Sequence, residues 1–193
     1  IQDAHAVVPV ALKNEVQKGN AVPILLAQAS IYPEGRMQSI VLKGIPTEQS
    51  ILELPTQALK TKEAGITHAI IGKNMSETTK LNQGDKVLLR WRDKNGTFDA
   101  REIYIAAVFD TNVPNVDGGQ VWIDLEEMRA MTGMAREATL FSTGENYQAV
   151  NDPTWVYKSP DVLLADLTAM ISAKKGGAAV MYILLMGIAL LAI

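Results

Sequence analysis

The distribution of charge divides this sequence into two unlike parts. All 18 lysines and arginines and all 21 aspartates and glutamates precede residue 176, and the run from Gly176 to Ile193 carries none. As a helix this run is ~27 Å long, close to the ~30 Å hydrocarbon core of a bilayer. It is apolar all round, unlike an amphipathic surface helix. We therefore expect a domain over residues 1–175 and the beginning of a transmembrane helix over residues 176–193.

Two interpretations of the apolar run remain open. It is either a membrane span that continues past Ile193 or a buried core helix. Lys174 and Lys175 lie at its N-terminal edge, and the positive-inside tendency taken alone would put the preceding domain in the cytoplasm. The rule compares both flanks of a span, so charge alone does not set the orientation. Because the sequence begins with Ile1 and shows no signal-peptide pattern, we expect a piece of a longer protein or a mature product.

The composition is that of an ordinary globular domain. Hydrophobic residues make up 48% and the net charge at pH 7 is −3, which argues against intrinsic disorder. The absence of cysteine excludes disulfides, thiolate zinc sites, iron–sulfur clusters and cysteine nucleophiles. Lysine and arginine form no stripe, so nucleic acid is not an expected partner.

Hydrophobic periodicity and turn residues predict an α+β fold, with mixed or antiparallel strands in the middle and helices at both ends. Lys86–Arg92 alternates in polarity, and Asn95-Gly96 predicts a hairpin to the next strand. The other predicted elements are a helix after Pro9, strands Val22–Tyr32, Met37–Ile45, Ile66–Gly72, Phe98–Phe109, Gln120–Ile123 and Thr139–Ser142, and helices Thr47–Leu54, Asn74–Leu81 (capped by Asn74) and Asp124–Gly133 (capped by Asp124).

A final amphipathic helix is predicted over residues 160–175. Ser159-Pro160 is typical of a helix start, and the helix would lead directly into the apolar run. Its apolar stripe consists of Leu163, Leu164, Leu167, Met170 and Ile171.

No catalytic, cofactor-binding or metal-binding residue can be named from the sequence, and the substrate-contact residues are unknown. The two histidines, His5 and His68, do not have the spacing of a helical metal pair, and His68 falls in a predicted strand, where we expect a structural role. The segment Gly65–Asn74 has the wrong spacing for a phosphate-binding loop. Carboxylates are scattered, so no acid–base pair stands out.

One loop bears a faint likeness to a site of oxygen ligands for a cation. Asp110, Asn112 and Asp117-Gly118 could supply such ligands, but Pro114 interrupts the alternating pattern that an EF-hand loop needs. We therefore interpret this segment as a solvated connection between strands.

Three stretches together resemble bacterial ABC transporter permeases of the MacB/FtsX-like type. Val41–Pro46 is similar to that family's v-x-l-x-G-I segment, and Ile70–Leu89 is similar to its iiG-x-x-l-A segment, which ends in G-D-x-v-x-l. The third stretch resembles the family's vGif-x-t…D…v-x-i-x-l…l-x-G segment; it consists of Ala107–Thr111, Asp117, Val121–Leu125 and Met131–Gly133.

The resemblance covers roughly residues 20–193, and lipoprotein-releasing permeases of the LolC/LolE type look most similar. Ala107 stands where the family often has glycine, and Ser76 stands where alanine is usual, which leaves the subfamily open. The resemblance implies a MacB-like periplasmic core domain, between two transmembrane helices of a permease subunit in the bacterial inner membrane.

Several functional expectations follow from the resemblance. The subunit would be non-catalytic and would have no cofactor, because a separate cytoplasmic ATPase would hydrolyse ATP. A second permease subunit would complete a homodimer or heterodimer, and helix 160–175 would act as the moving stalk. The output would be export, lipoprotein release or mechanical signalling, with a lipoprotein, a lipid or a periplasmic adaptor as a further partner.

Two other classes of function remain open on the sequence alone. One is a membrane-anchored periplasmic binding or adaptor domain that is not part of a transporter. The other is an enzyme whose carboxylates are brought together only by the fold.

Overall fold

A computed structural model describes residues 5–60, 65–111, 118–159, 161–165 and 168. The chain divides into two units, Ile1–Gln148 and Ala149–Ile193. In the second unit, residues 149–159 form neither helix nor strand and residues 161–165 are helical. The first unit contains β1 (Ala6–Val7), α1 (Val10–Gln17), β2 (Ala21–Ile31), β3 (Gln38–Ile45), β4 (Thr67–Gly72), α2 (Lys73–Thr79), β5 (Lys86–Arg92), β6 (Phe98–Phe109), β7 (Gln120–Asp124), α3 (Leu125–Thr132), β8 (Glu137–Ala138) and β9 (Leu140–Thr143), with short 3₁₀ turns at Pro33–Gly35 and Thr56–Leu59.

Six strands of the first unit close into a ring. The hydrogen-bonded order is β2, β3, β7, β4, β6, β5 and back to β2. The pairs β3–β7 and β4–β6 are parallel and the other four are antiparallel. The fold is therefore α+β with a mixed sheet, as predicted. Closure leaves each of these strands with a partner on both sides, which removes most of the unpaired backbone edge that an open sheet exposes.

Side chains alternate across each strand, so one face of every strand fills the interior of the ring. The predicted alternation in β5 is confirmed, because Val87, Leu89 and Trp91 are buried and the intervening side chains are exposed. The interior side chains are Leu25, Ala27, Ala29, Ile31, Ile40, Leu42, Ala69, Ile71, Val87, Leu89, Trp91, Ile103, Ile105, Val121 and Ile123.

Two helices pack against opposite ends of this interior. Helices α2 and α3 directly follow β4 and β7, which run antiparallel, so the two helices lie at opposite ends. Met75 of α2 and Met128 of α3 are both buried in the interior cluster. Helix α3 begins as predicted, because the carboxylate of Asp124 accepts hydrogen bonds from the backbone N–H groups of Glu126 and Glu127, each at 3.1 Å.

The approach of helix α3 to strand β3 requires a glycine. A Cβ atom at Gly44 would lie 2.8 Å from Sδ and 3.0 Å from Cβ of Met128, and 3.3 Å from Cα of Leu125. Trp91 Nε1 donates to the carbonyl of Met131 at 3.0 Å, which ties the C-terminal part of α3 to β5. Gly133 then ends the helix in the left-handed conformation, with φ of 75°.

A second apolar cluster lies on the outer face of the ring. It is covered by the segment 46–60, including Leu59 of the second 3₁₀ turn. Its buried members are Val22, Ile24, Ile45, Leu59, Ile70, Phe109 and Trp122.

Two local predictions are wrong, one in the segment 46–60 and one in helix α2. The predicted helix Thr47–Leu54 is absent from the described segment 46–60, because the Gln49 side chain bonds both the N–H and the carbonyl of Leu52, at 2.7 and 2.9 Å. Such side-chain bonds offer the backbone an alternative to helix formation. The predicted cap at Asn74 is also wrong, since α2 begins at Lys73 with Gly72 as its N-cap residue.

The expected transmembrane helix over residues 176–193 lies outside the described residues, as does most of the predicted helix over residues 160–175. Within the described ranges, no helix is both long enough and apolar enough to cross a bilayer.

The packing at Gly44 generates a stability prediction. We expect Gly44→Ala to lower the free energy of unfolding by about 1–3 kcal/mol, because the added methyl overlaps the buried side chain of Met128. Gly144→Ala is the matched control, since its Cβ would meet Ile51 Cδ1 at an ordinary 3.5 Å. Urea unfolding measures both. In a Met128→Ala background the cost of Gly44→Ala should fall, because the Sδ contact is removed while the contacts with Cβ of residue 128 and Cα of Leu125 remain; an unchanged cost there would contradict the contact.

Candidate functional site

Both histidines sit in structural surroundings. His68 lies in β4, with Nδ1 3.2 Å from the carbonyl oxygen of Ala58 and its ring 5.2 Å from the ring of Tyr104. His5 Nδ1 contacts the carboxylate of Glu137, next to the short pairing of β1 with β8. The two imidazoles therefore have separate partners.

The other segments considered for ligand binding also have local roles. In the segment Gly65–Asn74, Thr67–Gly72 forms strand β4. Asp110 pairs with Lys73 Nζ at 3.1 Å, whereas Asn112 and Asp117 lie outside the described residues. Among the residues that the structure describes, no group of three His, Asp or Glu side chains could hold a metal ion.

One carboxylate is buried and fully engaged. Glu15 of α1 accepts hydrogen bonds from Lys18 Nζ at 2.7 Å and Asn20 Nδ2 at 2.9 Å. The bond from Lys18, the bond from Asn20 and the backbone N–H of Gln148 hold the pKa of Glu15 below its ordinary value of 4.5. These contacts attach α1 to the start of β2 and to the end of the first unit, which indicates a structural role.

A half-buried lysine lies over a buried indole on the outer face of the ring. Lys43 Nζ is 4.5 Å from the ring centre of Trp122, which is a cation–π distance. Burial lowers the pKa of Lys43. Strands β3 and β7 pair Lys43 with Trp122 directly, so the contact follows from the register of the sheet.

A polar cleft of about 290 Å³ lies beside the hairpin that joins β5 to β6. The hairpin loop forms one wall and part of β2 forms another. Lys94 and Arg92 give this wall positive charge, and Asp93 is occupied by the backbone N–H groups of Asn95 and Thr97. The lining residues are His5, Leu26, Ala27, Gln28, Arg92, Asp93, Lys94, Asn95, Gly96 and Met134.

Next to the cleft, the outer side of the same hairpin carries an exposed aromatic ring close to two guanidinium groups. Phe98 is 60% exposed, and the Cζ atoms of Arg90 and Arg92 lie 4.2 and 5.8 Å from its ring centre. We call this surface, formed by Leu88, Arg90, Arg92, Phe98 and Ala100, the hairpin face.

The sequence predicted the β5 side of the hairpin face as a strand face but not as a functional site. The alternation in β5 already placed Arg90 and Arg92 on one side. The position of Phe98 depends on the β5–β6 register, which pairs it with Arg92 across a five-residue loop. The Asn95-Gly96 pair indicated the hairpin but not this register.

Comparisons with known proteins give similarity in structure only. No protein-family model and no curated protein matches the sequence. The extracellular domain of the noncanonic ABC-type transporter YknZ from Gram-positive bacteria is similar at a TM-score of 0.47 and 12% identity, over 76% of each chain. A domain of a protein assigned as a permease, from Porphyromonas gingivalis, is similar at a TM-score of 0.43 and 14% identity, over 69% of this chain and 61% of that one. Similarity of this size does not by itself assign a family or a function.

Glu15 generates a prediction for pH dependence. Because its pKa is lowered in the folded state, its ion pair stabilises the fold above pH 4.5, and that contribution is lost as pH falls toward the lowered pKa. We expect Glu15→Gln to destabilise the protein at pH 7 and to cost progressively less below pH 4.5. Thermal unfolding across pH measures this, with Glu53→Gln, an exposed carboxylate, as the control. A cost independent of pH would contradict the assignment.

Proposed function

We propose that this chain is the extracytoplasmic domain of an ABC transporter permease subunit in the bacterial inner membrane. In this proposal the domain faces the periplasm, has no catalytic activity of its own and works with a separate ATPase and a second permease subunit. Its role is to couple cytoplasmic ATP hydrolysis to export, lipoprotein release or mechanical signalling.

One observation carries the proposal: the three stretches that resemble MacB/FtsX-like permeases pack against one another. Val41–Pro46 contributes the end of β3, Ile70–Leu89 contributes α2 with parts of β4 and β5, and the third stretch contributes the end of β6, most of β7 and the two ends of α3. Strands β3, β7 and β4 are direct neighbours in the ring. Stretches far apart in the sequence therefore belong to one packed unit, as a shared fold requires.

The glycines in these stretches have physical roles that support the same interpretation. Gly44 of the first stretch lies against Leu125 of the third stretch and against Met128, which stands between two matching parts of that stretch. Gly84 has φ of 98° and donates its N–H to the carbonyl of Ile105, while the adjacent Asp85 accepts the N–H of Asn82 at 2.7 Å. The resemblance therefore includes two glycines with structural roles: Gly44 allows the close approach of helix α3, and Gly84 adopts a positive φ at a turn. Residues with such roles are typical of a shared fold.

The apolar run 176–193 supports a location at the membrane, because its length and lack of charge suit a bilayer span. We propose that residues 160–175 form the stalk between this span and the domain. A LolC/LolE-type role in lipoprotein release is the narrower form of the proposal, and it rests on the sequence resemblance alone.

Labelling of single cysteines tests the topology, because residues 1–193 contain no cysteine and any cysteine elsewhere in the protein can be replaced by serine. We expect Gln83→Cys, at an exposed turn, to react with a membrane-impermeant maleimide in cells with a permeabilised outer membrane but an intact inner membrane. A cytoplasmic protein with an exposed cysteine is the control and should react only after lysis. Reaction of Gln83→Cys only after lysis would contradict the proposal.

Co-purification tests the transporter itself. The natural full-length protein should retain an ATPase encoded beside it and stimulate its ATP hydrolysis. A periplasmic, membrane-anchored protein that retains no ATPase would instead indicate the adaptor alternative. A reading frame that stops after Ile193 with no further hydrophobic span would also contradict a permease.

A further inference from the structure

The charges on the hairpin face are not balanced by carboxylates. The β5–β6 register puts Lys86, Leu88, Arg90 and Arg92 on the same face as Tyr104, Glu102, Ala100 and Phe98. Lys86 Nζ lies 3.6 Å from the carboxylate of Glu102 and compensates it. Among the described residues, no carboxylate pairs with Arg90 or Arg92. A chain of net charge −3 therefore carries two unpaired guanidinium groups side by side.

The two arginines are held in place before any partner arrives. Arg92 Nε donates to the carbonyl of Gly96 at 2.9 Å, and both guanidinium groups lie near the ring of Phe98. Each group keeps terminal N–H donors that are free of carboxylates, in the planar arrangement that binds phosphate through two parallel hydrogen bonds. Leu88 is 45% exposed, so the face combines cations with apolar side chains.

The face is small for a stable protein–protein contact. Two strands ~4.8 Å apart and the four residue steps from Leu88 to Arg92, at ~3.4 Å each, give a patch of roughly 10 by 14 Å. A stable protein interface needs ~800 Å² from each partner. A weak contact is nevertheless effective when the other surface is held nearby, because tethering raises its effective concentration. In the proposed function, the apolar run 176–193 holds the domain beside a bilayer.

We propose that the hairpin face binds anionic phospholipid headgroups of the membrane that anchors the protein. Arg90 and Arg92 bind the phosphates, and Phe98 and Leu88 contact the interfacial region between headgroups and acyl chains. The inference rests on the proposed function for the presence of the bilayer. It adds to that function a contact that restrains the domain against the membrane surface.

A nitroxide at Ala100→Cys tests this contact in the natural full-length protein, with any cysteine outside residues 1–193 replaced by serine, reconstituted in vesicles of phosphatidylcholine with or without phosphatidylglycerol. Ala100 is exposed and pairs with Arg90, so the label reports on the face itself. We expect the label to be shielded from a water-soluble nickel chelate only when phosphatidylglycerol is present, with an equilibrium constant for the contact that rises about fivefold for each arginine engaged. Raising the salt concentration should remove the shielding.

Charge-removing variants distinguish an effect of the hairpin face from an effect of the net charge of the protein. Arg90→Gln with Arg92→Gln should abolish the shielding, whereas Lys13→Gln with Lys80→Gln removes the same charge elsewhere and should preserve it. Phe98→Ala should weaken it without changing its salt dependence. A label at Glu53→Cys, on the segment 46–60, should stay accessible in both lipids. Unfolding curves verify that each variant is folded.

Three outcomes would overturn the inference. Equal accessibility of the Ala100 label in both lipids means no headgroup contact. Shielding that also occurs in pure phosphatidylcholine and rises with the protein-to-lipid ratio means contact between protein molecules. Shielding that survives loss of both arginines means a contact that the hairpin face does not make. A chain that floats with vesicles but shows no lipid-dependent shielding leaves the proposed function standing, whereas a chain that floats with neither kind contradicts that function as well.

Discussion

The contact between Gly44 and Met128 fixes the distance between helix α3 and strand β3, and much of the first unit depends on that distance. With α3 in place, the carbonyl of Met131 accepts the indole N–H of Trp91 and the carbonyl of Thr132 accepts the backbone N–H of Lys94. These two bonds attach the β5–β6 hairpin to the end of α3. The position of the hairpin face therefore depends on Gly44 of β3, although β3 does not pair with β5 or β6.

Residues that set the fold and residues that form the candidate surface are largely separate. The glycines of the three resembling stretches act through the backbone, as at Gly44 and Gly84. Arg90, Arg92 and Phe98 all fall between the second and third stretches. In the proposed function, a surface outside the resembling stretches is where one permease subunit can differ from another.

The sequence predicted the strands well because alternation is a local property, and β5 shows it over its whole length. It also predicted the start of α3, since the side chain of Asp124 caps the helix within three residues. The segment 46–60 was missed because Gln49 competes for backbone groups through its side chain, which propensity does not report. The parallel pairs β3–β7 and β4–β6 join strands that are distant in the chain, and no local pattern encodes them. The hairpin face needed the register of two strands, so only its β5 half was visible.

Strand β2 pairs with β3 and β5 within the ring, and its first part, Ala21–Ile24, also pairs with β9. A shortened protein that ends before Leu140 would leave those residues with an unpaired, largely apolar edge. Such an edge is a template for pairing with another chain, so aggregation would follow even though the ring itself stays closed. An isolated domain that does not aggregate must therefore include β9 up to Thr143. It must also include Gly144, because the N–H of Gly144 donates to the carbonyl of Asn20.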